Sequence, residues 1–204
     1  MITLIDYGVG NLKSFVNVYN RLNIPIEIAQ TAQDIMNAER LILPGVGHFD
    51  HAMLQLNRSG MRDAIDKQVL VNKIPVIGIC VGMQMMSQRS EEGSEMGLGW
   101  IDAEVRKLDD SKINQITKLP HMGWNEVILE KSTDLLCDIR PNSVFYFLHS
   151  YYFHCNDSEN ILATTNYGHN FTSIACRDNI YGIQFHPEKS HNVGQKLLEN
   201  FSKI

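Results

Sequence analysis

The 204-residue sequence predicts an α/β protein with a doubly wound, mostly parallel sheet to which antiparallel strands are appended. Strand and helix patterns alternate over the first half of the chain, and this order is typical of parallel strands joined by crossover helices. After Gly93, short strand candidates follow one another across polar, glycine-containing turns, which indicates antiparallel pairing. Because no linker, repeat or low-complexity segment interrupts the chain, we expect a single domain over residues 1–204.

Apolar runs and helical spacing define the elements of the first half. Leu12, Phe15 and Tyr19 recur at helical spacing, and Thr31 followed by Asp34 is typical of a capped helix start. The predicted elements are, in order, a strand over 1–5, a helix over 12–22, a strand over 25–29, a helix from 31, a strand over 41–43, a helical region up to about 71, a strand over 74–79 and a helix through 84–88.

The second half is mostly strand. The predicted strands cover 100–108, 126–129, 144–148, 161–165, 172–177 and 180–186. A final helix is expected over 190–203, because Val193, Leu197 and Phe201 lie on one stripe.

The composition excludes several classes of partner. Hydrophobic residues make up 44% and charged residues 20%, which is the ordinary usage of a globular protein. The net charge of −5, without a long run of either sign, argues against nucleic acid or an anionic membrane as the partner. The sequence holds no run of about 18 apolar residues, so no transmembrane helix is expected.

The N-terminus and the cysteines predict a cytoplasmic protein. Residues 1–6 fit a strand and lack the basic region and cleavage site of a signal peptide. The four cysteines, Cys80, Cys137, Cys155 and Cys176, form no C-x-x-C pair, so no disulfide framework is expected. We expect one functional thiol, that of Cys80, and three cysteines in the core.

The surroundings of Cys80 predict a nucleophile elbow. Cys80 is the centre of Gly-Ile-Cys-Val-Gly at 78–82, directly after an apolar run. Glycines on both sides permit the sharp strand-to-helix turn that presents a nucleophile. A glycine-rich turn around an inert, buried cysteine is the structural alternative.

His186 and Glu188 complete a candidate catalytic triad. They stand two residues apart at the predicted end of a strand, so we expect both side chains on one face, with Cα atoms roughly 6–7 Å apart. A carboxylate placed there holds an imidazole in one tautomer, and Pro187 between them suits a strand end. With Cys80 they supply nucleophile, base and orienting group. The alternative is a surface His-Pro turn.

The glycine-rich segment Pro44–Gly47 is a candidate oxyanion hole. It follows a parallel strand, as Cys80 does, and the carboxyl edge of an open α/β sheet holds the active site. We expect one backbone N–H from Val46 and one from Val81, each worth about 3–4 kcal/mol in the transition state. A plain tight turn is the structural alternative.

No other motif predicts a metal or a cofactor, and we expect neither. His48 and His51 have the spacing of two ligands on a helix, but nothing nearby completes a site, and two exposed histidines are expected. The same interpretation applies to His149 and His154. Gly8-Val9-Gly10 lacks the third glycine of a dinucleotide fingerprint and is interpreted as a sharp turn.

Taken together, these motifs resemble the class I glutamine amidotransferases, and among them the glutaminase subunits of imidazole glycerol phosphate synthases. The resemblance spans nearly the whole chain in family order, over the segments 6–11, 44–47, 78–84, 120–125, 149–151 and 184–190. It implies hydrolysis of glutamine by Cys80, with His186 as acid and base and Glu188 as orienting group. It implies no cofactor and a heterodimer with a (β/α)₈-barrel cyclase subunit of histidine biosynthesis, which receives the ammonia.

The resemblance also implies two further sets of site residues. Those that bind glutamine would be Gly47, Gln84, Glu92, His149, Ser150 and Tyr151, and those that face the cyclase would be Asn11, Trp124 and Tyr146.

Three alternative functions stay open at this point. The same glutaminase chemistry serves surface-sugar amidation with a related barrel partner in relatives of the family. The triad also fits a free-standing cysteine hydrolase of peptides or γ-glutamyl compounds. If Cys80 is structural, the chain is a nucleotide-binding or regulatory α/β module.

Overall fold

Two sheets make up the β structure of the computed structural model, which describes residues 1–204. The strands are Ile2–Ile5 (β1), Ile26–Ala29 (β2), Leu41–Leu43 (β3), Val76–Ile79 (β4), Arg89–Ser90 (β5), Ala103–Lys107 (β6), His121–Leu129 (β7), Ser143–His149 (β8), Tyr151–Cys155 (β9), Ile161–Tyr167 (β10), His169–Arg177 (β11) and Ile180–Ile183 (β12).

The larger sheet has nine strands in the order β2-β1-β3-β4-β12-β11-β10-β7-β8. Its first five strands are parallel, and its other pairs are antiparallel. A smaller sheet pairs β5, β6 and β9. The predicted class, a doubly wound α/β fold with appended antiparallel strands, is therefore confirmed.

Six α-helices connect and flank the strands. They are Leu12–Arg21 (α1), Ala32–Met36 (α2), Phe49–Arg58 (α3), Arg62–Asp66 (α4), Val81–Met85 (α5) and His191–Phe201 (α6). The predicted start of α2 is confirmed, since Thr31 and Asp34 form a capping box. The helical region expected up to about 71 comprises α3, α4 and a π-helical turn over Lys67–Val71. None of these helices combines the length and the apolar character that a membrane span requires.

Burial explains which apolar runs become strands. Every residue of β1, β3 and β4 is buried, as expected for central parallel strands covered on both faces. Residues of α1 and α6, among them Phe15, Tyr19 and Phe201, are buried in the same core. That core is one continuous cluster of 58 hydrophobic residues, which joins the parallel and antiparallel parts of the chain.

Several predicted boundaries are wrong. The helix after Cys80 ends at Met85 and does not continue through 84–88. Strand β7 begins at His121, five residues before its predicted start. The sequence does not predict β9, because the aromatic run over 146–152 offers only Ser150 as a break. The chain changes sheets at Ser150, since β8 belongs to the large sheet and β9 to the small one.

Candidate active site

Three adjacent parallel strands end at one edge of the large sheet. Strand β3 is followed by Pro44, β4 by Cys80, and β12, after two intervening residues, by His186. Because β4 lies between β3 and β12, this order brings the glycine-rich segment, the thiol and the imidazole to one place. Residues that are about 40 to 140 positions apart in the sequence therefore share one site at the carboxyl edge, as predicted.

Cys80 occupies a strained turn between β4 and α5. Its φ is 56° and ψ is −112°, a region that side-chain-bearing residues rarely adopt and that costs of order 1–3 kcal/mol. Its backbone N–H donates to the Ile183 carbonyl oxygen at 2.7 Å, which ties the turn to β12. The predicted elbow is therefore present, with the positive φ on the cysteine itself.

The glycines around the elbow are required by close backbone contacts. A Cβ on Gly82 would lie 2.0 Å from the Leu43 carbonyl oxygen, and one on Gly45 would lie 2.2 Å from the Gly82 nitrogen. Strand β3, the segment after it and the elbow therefore touch through their main chains. No side chain fits between them.

His186 and Glu188 make the predicted contact in a different local structure. Strand β12 ends at Ile183, and His186 caps a 3₁₀ turn over Pro187–Lys189. The prediction of a shared strand face is therefore wrong, because Pro187 occupies the first position of a helical turn. The contact itself is present, since His186 Nδ1 lies 2.8 Å from Glu188 Oε1. With Nδ1 bound to the carboxylate, Nε2 is left for Cys80.

The environment of His186 favours its charged form. Burial alone would lower the pKa of this imidazole, but the adjacent Cys80 sulfur and the Glu188 carboxylate outweigh burial and raise it to about 10. His186 is 3% exposed, so water screens these charges little. The site therefore stabilises a proton on His186 next to the Cys80 sulfur.

A cavity of about 330 Å³ opens above Cys80. It brings together the predicted triad residues Cys80 and His186, both predicted oxyanion residues and every residue predicted to bind glutamine. Its walls are Val46, Gly47, Cys80, Val81, Gln84, Glu92, Pro120, Leu148, His149, Ser150, Tyr151, His186 and Lys189. Lys189 was not predicted, although it directly follows Glu188 in the sequence.

The side chains of Gln84 and Glu92 are partly used by the protein itself. The Gln84 amide nitrogen donates to the Tyr151 carbonyl oxygen at 2.9 Å and to Gln184 Oε1 at 3.2 Å. Glu92 Oε2 accepts the Phe49 backbone N–H at 2.8 Å. Each side chain therefore has one oxygen, Oε1, without a protein partner that it could offer to a ligand.

His149 is buried, and it pairs with a second buried histidine. Its Nδ1 lies 2.8 Å from the Tyr151 carbonyl oxygen, and its Nε2 lies 2.9 Å from His121 Nδ1. Burial lowers the pKa of His121 to about 4 and that of His149 to about 3, so both rings are neutral. Since the Tyr151 carbonyl oxygen can only accept, His149 Nδ1 carries the hydrogen and its Nε2 is an acceptor. His121 Nδ1 must therefore carry the hydrogen that it donates to His149 Nε2. The prediction of an exposed His149 is wrong, and nothing in the sequence pairs it with His121, 28 residues earlier.

The three residues predicted to face a partner all reach the surface of the molecule. Asn11 is exposed at the start of α1, and its side chain caps nothing. Trp124 is 48% exposed, stacks on His191 with ring centroids 4.9 Å apart, and packs edge-on against the half-buried Tyr146. Leu148, also exposed, lies on the same strand as Tyr146 and reaches the cavity wall.

The remaining cysteines and histidines form no second site. All four thiols are free; Cys155 is buried and Cys176 half-buried, but Cys137 is exposed, so its predicted core position is wrong. His48 and His51 are exposed as expected. The structure contains no group of three or more His, Cys, Asp or Glu side chains that could hold a metal ion.

Comparison with known families agrees with this geometry. The family model for "Glutamine amidotransferase class-I" matches residues 3–204. The chain belongs to the class I glutamine amidotransferases. It is therefore an enzyme of the kind that the Cys-His-Glu arrangement predicts.

Several relatives match this amidotransferase along its whole length. Imidazole glycerol phosphate synthase subunit HisH from Bdellovibrio bacteriovorus is 48% identical over 204 residues, which is all of both chains. The protein of the same name from Leptospira interrogans is 47% identical, again over all of both chains. Subunit HisH 2 from Pseudomonas aeruginosa is 46% identical over 207 residues, with both chains fully covered.

Solved structures share the fold at much lower identity. A crystal structure described as a glutamine amidotransferase superposes with a TM-score of 0.76 at 16% identity, covering 100% of this chain and 99% of that one. The structure of PurLQS from Thermotoga maritima superposes with a TM-score of 0.72 at 15% identity, covering 98% of this chain and 96% of that one. These likenesses confirm the fold class.

Proposed function

We propose that this amidotransferase hydrolyses glutamine through a Cys80 thioester and passes the ammonia to a cyclase subunit that makes imidazole glycerol phosphate in histidine biosynthesis. The observation that carries the chemistry is the Cys80 sulfur at the floor of a cavity, beside an imidazole that Glu188 orients. The full-length relatives named as the HisH subunit of that synthase support the pathway.

The reaction proceeds in two half-steps at one sulfur. His186 takes the thiol proton, and the thiolate attacks the side-chain amide carbon of glutamine to give a tetrahedral oxyanion. That intermediate collapses to a thioester when the C–N bond breaks, and His186 returns its proton to the leaving ammonia. Water, deprotonated by the same imidazole, then attacks the thioester and releases glutamate and the free thiol.

The oxyanion is held by two backbone donors, Val81 N–H and Val46 N–H. Val81 is the first residue of α5 and directly follows the nucleophile. Val46 belongs to the loop of residues 44–48 that leads into Phe49, the first residue of α3; residues 44–49 are called the switch loop below, and Val46 lines the same cavity. If the Val46 peptide is rotated so that its N–H leaves the cavity, the rate falls by about 10²–10³. A partner that fixes the orientation of this peptide therefore controls the rate of the enzyme.

Passing ammonia directly to a partner has a physical reason. Ammonia released into water is mostly protonated, and ammonium has no lone pair for attack, so a dry passage preserves its reactivity. The exposed apolar side chains Met122, Trp124, Val144 and Leu148 on β7 and β8 form a surface that reaches the cavity wall at Leu148. An apolar surface of this kind, together with Asn11 and Tyr146, fits a subunit contact with the (β/α)₈ barrel.

The proposal is tested by reconstitution with the cyclase subunit encoded in the same genome. We expect a heterodimer that forms glutamate and imidazole glycerol phosphate in equal amounts from glutamine and the cyclase substrate. Cys80→Ala is the control, because it should abolish the glutamine-dependent reaction and leave synthesis from added ammonium salts. Reconstitution only with a sugar-amidating barrel, or full glutaminase activity without any partner, would reject the histidine pathway.

Thiol labelling separates an enzymatic from a structural Cys80. An electrophilic glutamine analogue should modify Cys80 alone, because only this thiol lies in the cavity beside an imidazole. Burial raises the pKa of the Cys155 thiol to about 12 and that of Cys176 to about 11, which suppresses their thiolates. Exposed Cys137 is the internal control for non-specific reaction. Peptide mapping that finds the label on all four cysteines would contradict the assignment.

A further inference from the structure

Two carboxylates tie the start of α3 to the segment 92–95. Glu92 Oε2 accepts the Phe49 backbone N–H at 2.8 Å. In the opposite direction, Asp50 accepts the backbone N–H groups of Ser94 at 2.9 Å and Glu95 at 3.0 Å. These reciprocal bonds between segments more than 40 residues apart are called the clasp below.

The two segments of the clasp approach each other so closely at residue 93 that only glycine fits there. A Cβ on Gly93 would lie 2.0 Å from Asp50 Oδ1 and 2.4 Å from Oδ2. The backbone at Gly93 therefore passes directly over the Asp50 carboxylate, and any larger residue would push the two segments apart. Asp50 itself does not line the cavity.

The clasp holds one end of the switch loop, and other contacts hold the opposite end. The Tyr7 hydroxyl donates to the Pro44 carbonyl oxygen at 2.6 Å, and burial raises the pKa of Tyr7, which keeps this donor protonated. Gly45 packs against the main chain of the elbow, where no Cβ fits. At the far end, Phe49 is held by Glu92.

Between these anchors, only a short stretch is free to move. Val46 is 40% exposed, and Gly47 has a φ of +84° with open space where a Cβ would stand. The peptide that carries the Val46 N–H therefore lies at the border between the packed Gly45 and the unpacked residues 46 and 47, and its orientation depends on how firmly each anchor is held.

We propose that Glu92 couples recognition of the amino-acid end of glutamine to the oxyanion donor. This inference rests on the proposed function, because it places the substrate's α-ammonium against the free Oε1 of Glu92. An ammonium bound to Oε1 fixes the carboxylate, the carboxylate fixes Phe49 through Oε2, and the switch loop loses freedom at its far anchor. Glu92 is thus a positioning residue, and Asp50 holds the segment that carries it.

The distinctive consequence is that the α-ammonium raises kcat. An ammonium that contributed only uniform binding would change KM and leave kcat alone. If the α-ammonium also fixes the orientation of the Val46 N–H, a substrate without this ammonium reacts more slowly in the chemical step.

The test compares glutamine with glutaramate, which lacks only the α-amino group, in the reconstituted complex. We expect wild-type kcat to be at least about tenfold lower for glutaramate, in addition to any change in KM. In Asp50→Ala, kcat for glutamine should fall towards the glutaramate value, so that the ratio of the two approaches one. Asp50→Asn retains one acceptor oxygen and should give an intermediate ratio. Asp63→Ala, at an exposed aspartate in the first turn of α4, is the matched control and should leave both values unchanged.

Two results would overturn the inference. One is an equal kcat for the two amides in the wild type, with the difference confined to KM. The other is an equal loss of kcat on both amides in Asp50→Ala, since a merely structural role predicts that pattern. A wild-type complex that hydrolyses neither amide would instead refute the proposed function, and this inference with it.

Discussion

The elbow around Cys80 and the switch loop meet in one cavity but differ in how firmly they are built. At the elbow, Cys80 is held at a φ of 56°, its N–H is bonded to Ile183, and no Cβ fits at Gly82. In the switch loop, Val46 is exposed and Gly47 has open space around it. The nucleophile is therefore fixed by backbone packing on both sides, whereas the proposed donor at Val46 is packed only on the Gly45 side.

This difference separates two requirements of the reaction. A thiol that is fixed next to its imidazole can lose its proton and attack at any time. An adjustable oxyanion donor lets turnover depend on a second event, such as binding of the partner or of the whole substrate. Gating is then achieved by moving one peptide while the triad stays in place.

The largest expected effect comes from removing the imidazole that the fixed thiol depends on. His186→Ala should lower glutamine turnover by at least about 10³-fold, because proton transfer to and from sulfur, nitrogen and water is lost. Steady-state glutaminase assays measure this loss, and His51→Ala, at an exposed histidine of α3, is the control. If the strained elbow alone activated the thiol, the loss would be small.

Alanine at two glycines compares the rigid and the adjustable part directly. Gly82→Ala should destabilise the fold by about 3 kcal/mol, since its Cβ meets the Leu43 carbonyl oxygen at 2.0 Å. In Gly47→Ala the new Cβ contacts no atom, so the fold should be destabilised only by the strain of a positive φ, about 1–2 kcal/mol. We expect Gly47→Ala to keep the reactivity of Cys80 towards iodoacetamide while glutamine turnover falls. Thermal denaturation curves that shift equally for both variants would contradict the comparison.

How far the sequence predicts this site depends on how local each contact is. The elbow and the Pro44–Gly47 segment follow short, fully buried apolar strands, which local patterns identify. His186 and Glu188 are predictable for a related reason, although the turn that joins them is a 3₁₀ turn and not a strand end. These features are encoded within a few residues of one another.

Contacts across long sequence separations were not predictable. The bonds of Asp50 to Ser94 and Glu95, the His121–His149 pair and the Tyr7–Pro44 bond join residues 28 to 45 positions apart. Each contact uses residue types that are also common on protein surfaces, so the local sequence does not distinguish these residues from surface residues. Strand β9 is not predictable either, because an aromatic run has the same pattern whether or not it changes sheets.

A smaller effect is expected from altering the group that orients the base. Glu188→Gln should lower turnover, but it should still turn over roughly tenfold to hundredfold faster than His186→Ala, because the imidazole remains. Loss of the carboxylate charge lowers the pKa of His186 below its value of about 10, so the imidazolium is lost at lower pH. The alkaline limb of the profile of kcat/KM against pH should therefore move to lower pH. If the alkaline limb does not move, the two residues act separately. The same conclusion would follow if the losses of turnover in Glu188→Gln and His186→Ala added up in the double variant.

The central claim, a fixed nucleophile beside a gated oxyanion donor, is tested most directly by two rates measured on the same samples. One is glutamine turnover, and the other is alkylation of Cys80 by iodoacetamide, each with and without the cyclase subunit carrying its own substrate. The account predicts that the partner raises turnover by about 10²–10³, the worth of one oxyanion donor, while the alkylation rate of Cys80 does not rise. A rise of both rates in the same proportion would contradict it, because the partner would then be activating the thiol itself.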